Sequence, residues 1–165
     1  MKNYICINGN KTELTEEQLK QLGIELPKVS PFARVNNTER FYRIGYDGEV
    51  YTEYEKRIGI QNDMFNIANY CTDKAIMEQR ALHETLNRLL WRYSMEHDGD
   101  KINWNIYDQR KHYIFVDVET NQFHVDHSWS CCGIDRTYFY SKRIAEDAIE
   151  EIIKPFMKAH PEFKF

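Results

Sequence analysis

The apolar positions of this chain change period along its length. Near the start, Tyr4–Ile7 and residues 11–14 read as two short strands, with Asn8-Gly9 between them supplying residues that tolerate positive φ in a tight turn. Thr15 and Gln18 then stand at capping-box spacing, with Leu14 and Leu19 in staple positions, which predicts a helix from Glu16 to about Leu22. Gly23 is placed to close it in the left-handed conformation, with Ile24 folding back onto the last turn. Pro27 and Pro31 follow in a polar stretch that reads as a connector.

From Arg40 onward aromatic and β-branched residues dominate. Arg40–Ile44 and residues 49–54 are predicted strands around Gly45-Tyr46-Asp47-Gly48, and a third strand is expected within residues 64–70. Thr72 is the expected N-cap of a helix that runs to about Glu96, with Asp73 favouring its positive end, before Asp98-Gly99-Asp100 stops it. That helix is about 36 Å long at 1.5 Å per residue. Residues 111–118, 122–129 and 136–140 repeat the strands, and Ser141 caps a second helix from Lys142, in which Pro155 is expected to kink or end the element. The order βββα thus occurs twice. The pattern predicts an α+β fold, an antiparallel sheet with two helices packed on one face, preceded by a hairpin and short helix. The expected division is 1–36 as the N-terminal appendage and connector, and 37–165 as the main domain.

Projected at 100° per residue, the long helix carries two apolar stripes. Ala75, Gln79, Leu82, Leu86, Leu89 and Tyr93, with Leu90 at the margin, should cover the sheet. Nearly opposite lie Met77, Ala81, Glu84, Arg88, Trp91 and Met95, residue types common in interfaces, which a helix resting on one sheet would leave in water. The N-terminal segment, a second copy in a homodimer, or a foreign partner are the three candidates to cover it. On the second helix, Glu146, Asp147, Glu150 and Glu151 form an acidic outer side that reads as a solvated face or as a surface for a basic partner.

Composition narrows the classes. The chain has 165 residues, is 42% hydrophobic and 14% aromatic, and carries a net charge of −4, enough for one core and without the basic surplus that nonspecific nucleic-acid binding uses. Direct nucleic-acid binding is therefore not expected from the totals, although Tyr42, Tyr51, Tyr54, Tyr113, Tyr138 and Tyr140 are potential stacking groups. No membrane span and no secretory leader is expected, and four scattered cysteines without a leader suggest reduced thiols in a cytoplasmic protein. His124, Asp126, His127, Cys131 and Cys132 lie within nine residues, but strand alternation separates them, so neither metal nor cofactor is expected. Phosphate-loop, dinucleotide and serine-nucleophile patterns are absent from the sequence.

Four stretches carry a resemblance: Thr15-Glu16-Glu17-Gln18-Leu19-Lys20, Asn69-Tyr70-Cys71-Thr72, the helix from Leu86 to Met95, and Ile149-Glu150-Glu151-Ile152-Ile153. Through them the chain resembles small proteins encoded by phages and prophages of low-GC Gram-positive bacteria. The resemblance implies a non-enzymatic inhibitor that binds and blocks a bacterial host defence protein, such as a CRISPR–Cas effector. The alternatives are a binder that sequesters a nucleotide immune signal and a small metal-dependent hydrolase or nuclease.

Overall fold

The computed structural model describes residues 4–7, 10–23, 29–134 and 136–165, and the expected Asn8-Gly9 turn and the fold-back of Ile24 lie outside them. The chain divides into two compact units, Met1–Ala33 and Arg34–Phe165. The division falls three residues before the expected one, because Arg34 and Val35 bond to Glu55 and Tyr70 of the second unit. In the first unit β1 (Tyr4–Ile7) and β2 (Asn10–Glu13) form an antiparallel hairpin, followed by α1 (Glu16–Gln21). The capping box is formed: Gln18 N donates to Thr15 Oγ1 at 3.3 Å and Thr15 N donates to Gln18 Oε1 at 2.9 Å.

The second unit is α+β and is built twice on one plan. In its first half β3 (Arg40–Ile44) and β4 (Val50–Tyr54) form a hairpin, followed by α2 (Gly59–Asn66) and α3 (Lys74–Glu96). The second half has the hairpin β5 (Lys111–Asp117) and β6 (Gln122–Ser128), then α4 (Lys142–Ala148), a π-helical turn (Ile149–Ile153) and α5 (Lys154–Ala159). The expected single sheet is two separate hairpins; the expected strand at 136–140 contracts to one antiparallel bridge, His112 with Phe139, and in the first half a single bridge, Tyr42 with Cys71, falls one residue beyond the expected strand. Residues 64–70 fail as a strand because α2 takes up their first part and the Asn69 side chain replaces backbone pairing. Ile44 N donates to Asn69 Oδ1 at 2.7 Å, and Asn69 Nδ2 donates to Ile44 O at 2.8 Å.

In both halves the helix N-cap follows the bridging residue by two positions. In the first half it is Asp73 rather than Thr72, its carboxylate accepting from Ala75 N and Ile76 N. Ser141 caps α4 as expected, accepting from Ile144 N. Pro155 does not end the helical run. The π-helical turn immediately before it re-registers the backbone where proline supplies no N–H, and the helix continues to Ala159.

The two stripes of α3 acquire separate meanings. Leu86 and Tyr93 are buried and Leu82, Leu89 and Leu90 half-buried, packed with Ile149, Ile152, Ile153 and Phe156 and with Ile114, Phe123 and Val125 of the second hairpin. Two helices thus cover one face of β5–β6. Met77 and Ala81, expected outward, are buried against Tyr42, Ile44 and Cys71. They are the face that α3 turns to its own hairpin. Ala75 lies exposed instead of covering a sheet, while Gln79 clasps the C-terminal tail, donating to Glu162 O at 2.8 Å and accepting from Lys164 N at 3.0 Å. No helix among the described residues is long and apolar enough to cross a membrane.

Candidate functional site

A helix of 23 residues outruns a five-residue strand. The stripe that begins as buried Met77 and Ala81 therefore emerges beyond β3–β4 as Glu84, Arg88, Trp91 and Met95. Trp91 is 61% exposed and Met95 42%. Glu84 is shared by two guanidiniums, accepting from Arg80 Nε at 2.9 Å and Arg88 Nη2 at 3.0 Å. Arg92, one position beyond Trp91, has no ion-pair partner among the described residues. The exposed end of α3 thus presents Trp91 and Met95 with two arginines, Arg88 and Arg92, set between Glu84 and Glu96.

Beside it lies a groove of about 300 Å³ lined by Asn87, Arg88, Trp91, Arg136 and Thr137. Its inner end is a recess of about 100 Å³ floored by Leu90, Ile114 and Phe139. Arg136 lies over the Tyr113 ring, 4.6 Å from its centre, and Tyr138 meets Tyr113 edge to face. Arg136, Asn87 and Thr137 were not legible as site residues, because nothing in local spacing brings residue 136 to a helix that ended forty residues earlier.

The acidic side of α4 is different in character. Glu146 pairs with Lys142 at 3.4 Å, Asp147 with Arg143 at 3.7 Å, and Glu150 with Lys154. Glu151 accepts from Tyr93 Oη at 3.2 Å, and burial together with this carboxylate raises the Tyr93 hydroxyl above its ordinary pKa. Each carboxylate is thus engaged by a neighbour of its own helix or of α3, and the surface is a ladder of exposed pairs rather than an unbroken negative face.

Of the ligand-type residues of the second hairpin, only Asp126 and His127 meet, with His127 N donating to Asp126 Oδ1 at 2.7 Å and His127 Nδ1 lying 3.5 Å from the same oxygen. His124 and Asp126 are exposed opposite Phe115 and Tyr113, while His127 lies on the other face between His112 and Trp129. Burial, then the neighbouring His127, holds the His112 imidazole below its usual pKa. Ser128 Oγ donates to Cys131 O and accepts from Cys131 N, which forms the turn that leaves Cys131 and Cys132 exposed. Among the described residues no three His, Cys, Asp or Glu side chains gather as a metal site. The larger groove beside the start of α3, about 540 Å³, carries both signs of charge, with Lys74 paired to Glu78 and His160 to Glu162.

The tyrosines divide by role. Tyr42, Tyr70 and Tyr138 are buried, whereas Tyr51, Tyr54 and Tyr140 are exposed, Tyr51 lying beneath the Arg43 guanidinium and donating from its hydroxyl to Asp47. Comparison with protein-family models, curated proteins and solved structures returns no match.

Proposed function

We propose that this protein is a non-enzymatic inhibitor of the phage type, which binds and blocks a bacterial defence protein such as a CRISPR–Cas effector in the host cytoplasm. The observation that supports this reading is the emergent end of α3. Trp91 and Met95 stand exposed there, flanked by Arg88 and Arg92, on a stripe whose first two residues, Met77 and Ala81, are buried by the chain itself. A rigid helix presenting a tryptophan, a methionine and arginines holds the side chains that contribute most at protein interfaces, with little ordering left to lose on binding. Arg88 and Arg92 would meet acidic groups of the partner. The side chains of α4 are engaged with one another and form a secondary contact.

The test is a titration of purified defence effectors with the full chain. Inhibition is expected to saturate at a fixed molar ratio and to be independent of incubation time, the mark of occupancy rather than turnover. Trp91→Ala combined with Met95→Ala should abolish it. Inhibition that grows with time at substoichiometric protein, or a dimer in solution that Trp91→Ala returns to a monomer of 19.9 kDa, would overturn the reading.

A further inference from the structure

The groove beside the emergent end of α3 has a chemistry of its own. One wall is the exposed indole of Trp91, the rim carries the guanidiniums of Arg88 and Arg136, and the floor is the apolar recess of Leu90, Ile114 and Phe139. Among the described residues no carboxylate lines it. Arg136 is fixed by stacking on Tyr113 and makes no hydrogen bond among the described residues, nor do the side chains of Asn87 and Thr137. Arg88 commits one nitrogen to Glu84 and keeps the rest of its donors. The groove therefore offers an aromatic face, two cations, an unused amide and an unused hydroxyl around an apolar floor, the composition of a small-ligand site.

We propose that this groove binds a nucleoside phosphate unit. The base would lie against the Trp91 ring, the phosphate would accept from Arg136 and Arg88, and the Asn87 amide stands where a base edge can be read. A simple carboxylate would use the arginines and leave the indole unused. An uncharged aromatic would leave two guanidiniums without an acceptor. A nucleotide satisfies both. The sequence totals conceal the site, because a chain of net charge −4 keeps its cations here in excess only through the tertiary approach of residue 136 to α3. This goes beyond the proposed inhibition, and it uses Arg136 and Thr137, which lie outside the partner surface.

The shared chemistry has two sources, a free mononucleotide or a unit within single-stranded nucleic acid. Calorimetry and amide NMR on the full chain, with AMP, adenosine, inorganic phosphate and a U10 oligonucleotide as probes, separate them. AMP or U10 is expected to bind and to shift the Trp91 indole and the Asn87 and Thr137 amides, with adenosine and phosphate each weaker by at least about tenfold, since each forfeits half of the contacts. Binding of AMP identifies the free nucleotide. Binding of U10 alone, weakening as salt rises, identifies the strand. Arg136→Ala and Trp91→Leu, both surface changes, should each weaken the binding probe by at least about tenfold. Absence of binding by AMP and U10 at millimolar concentration, or affinity unchanged in Arg136→Ala, overturns the proposal. Inhibition of the defence effector by Arg136→Ala is read alongside, so that failure of nucleotide binding leaves the inhibitor reading standing and the reverse.

Discussion

The two halves of the second unit share a plan and differ in what they bury. In each, the residue just before the bridging position of the first strand is wholly buried: Phe41 in β3 and Lys111 in β5. In each, the tyrosine just before the bridge to that strand, Tyr70 or Tyr138, pins a loop with its hydroxyl, accepting from Val35 N at 3.2 Å or from Gly133 N at 2.6 Å. The roofs above these positions differ. Phe41 stacks on Tyr70 with Phe65 edge-on to that ring, whereas Lys111 donates to Ile106 O at 2.7 Å and Trp129 O at 3.0 Å, with the Trp104 ring 5.4 Å from its nitrogen. The first half buries its charge elsewhere, as Glu55. A common framework thus tolerates opposite charges in its two copies, provided each is given partners before it is closed off from water.

Glu55 carries the largest expected effect. Its carboxylate accepts Arg34 Nε and Nη2, both at 3.0 Å, Tyr70 Oη at 3.0 Å and Arg57 N at 2.7 Å. The Arg34 hydrogen bonds, reinforced by the Arg57 amide and the Tyr70 hydroxyl, overcome burial and bring its pKa down to about 2 from an ordinary 4.5. Glu55→Ala should destabilise the protein by about 3 kcal/mol in urea unfolding at neutral pH, at the low end for a broken buried pair because Arg34 can still reach water. The folded state holds this group ionised more strongly than the unfolded chain does. Its contribution is therefore complete above about pH 4.5 and is lost as pH falls toward about 2. The gap between wild type and Glu55→Gln should close over that window. A gap that persists unchanged at the bottom of it would show that the carboxylate's charge is not what matters.

Lys111→Met is the matching experiment in the second half and should cost about 2 kcal/mol. The Trp129 carbonyl loses its ammonium donor and the Ile106 carbonyl keeps only the longer bond from Gln109 N at 3.3 Å, a loss partly offset because no ammonium has to leave water. Thermal and urea unfolding measure it. Stabilisation by this substitution would mean that the carbonyl cage adds less than the desolvation it opposes.

Much of this frame was legible in the chain. Strand alternation and turn residues mark all three hairpins, helical spacing marks α3 and α4, and the capping box at Thr15 survives in detail. What escaped depends on side chains replacing backbone. Asn69 stands in for a strand partner, and buried Gln61 holds the start of α2, accepting from Lys56 N at 2.7 Å and donating to Tyr54 O at 2.8 Å. Neither leaves a periodic trace. The second stripe of α3 was readable as apolar, but the length of hairpin available to cover it was not. The same stripe accordingly divides into a buried beginning and an exposed end. Of the candidate site, Arg88, Trp91 and Met95 were found by spacing, while Arg136 reached it only through the fold.

The smallest expected effects lie at the joints that the two halves share most closely. Ser141→Ala removes one side-chain acceptor, for Ile144 N, and should cost about 1 kcal/mol. Asp73→Ala should cost more, since its carboxylate accepts from Ala75 N at 2.9 Å and Ile76 N at 3.3 Å and also sets a negative charge at the positive end of the longest helix. Asp73→Asn separates the two contributions, keeping an acceptor and removing the charge. Its recovered stability relative to Ala measures the hydrogen bonds, and the remainder should shrink as salt is added. A greater loss at Ser141 than at Asp73 would mean that the second half depends on its cap to begin a helix that Pro155 and its π turn already weaken, whereas α3, gripped on both stripes, starts where packing places it.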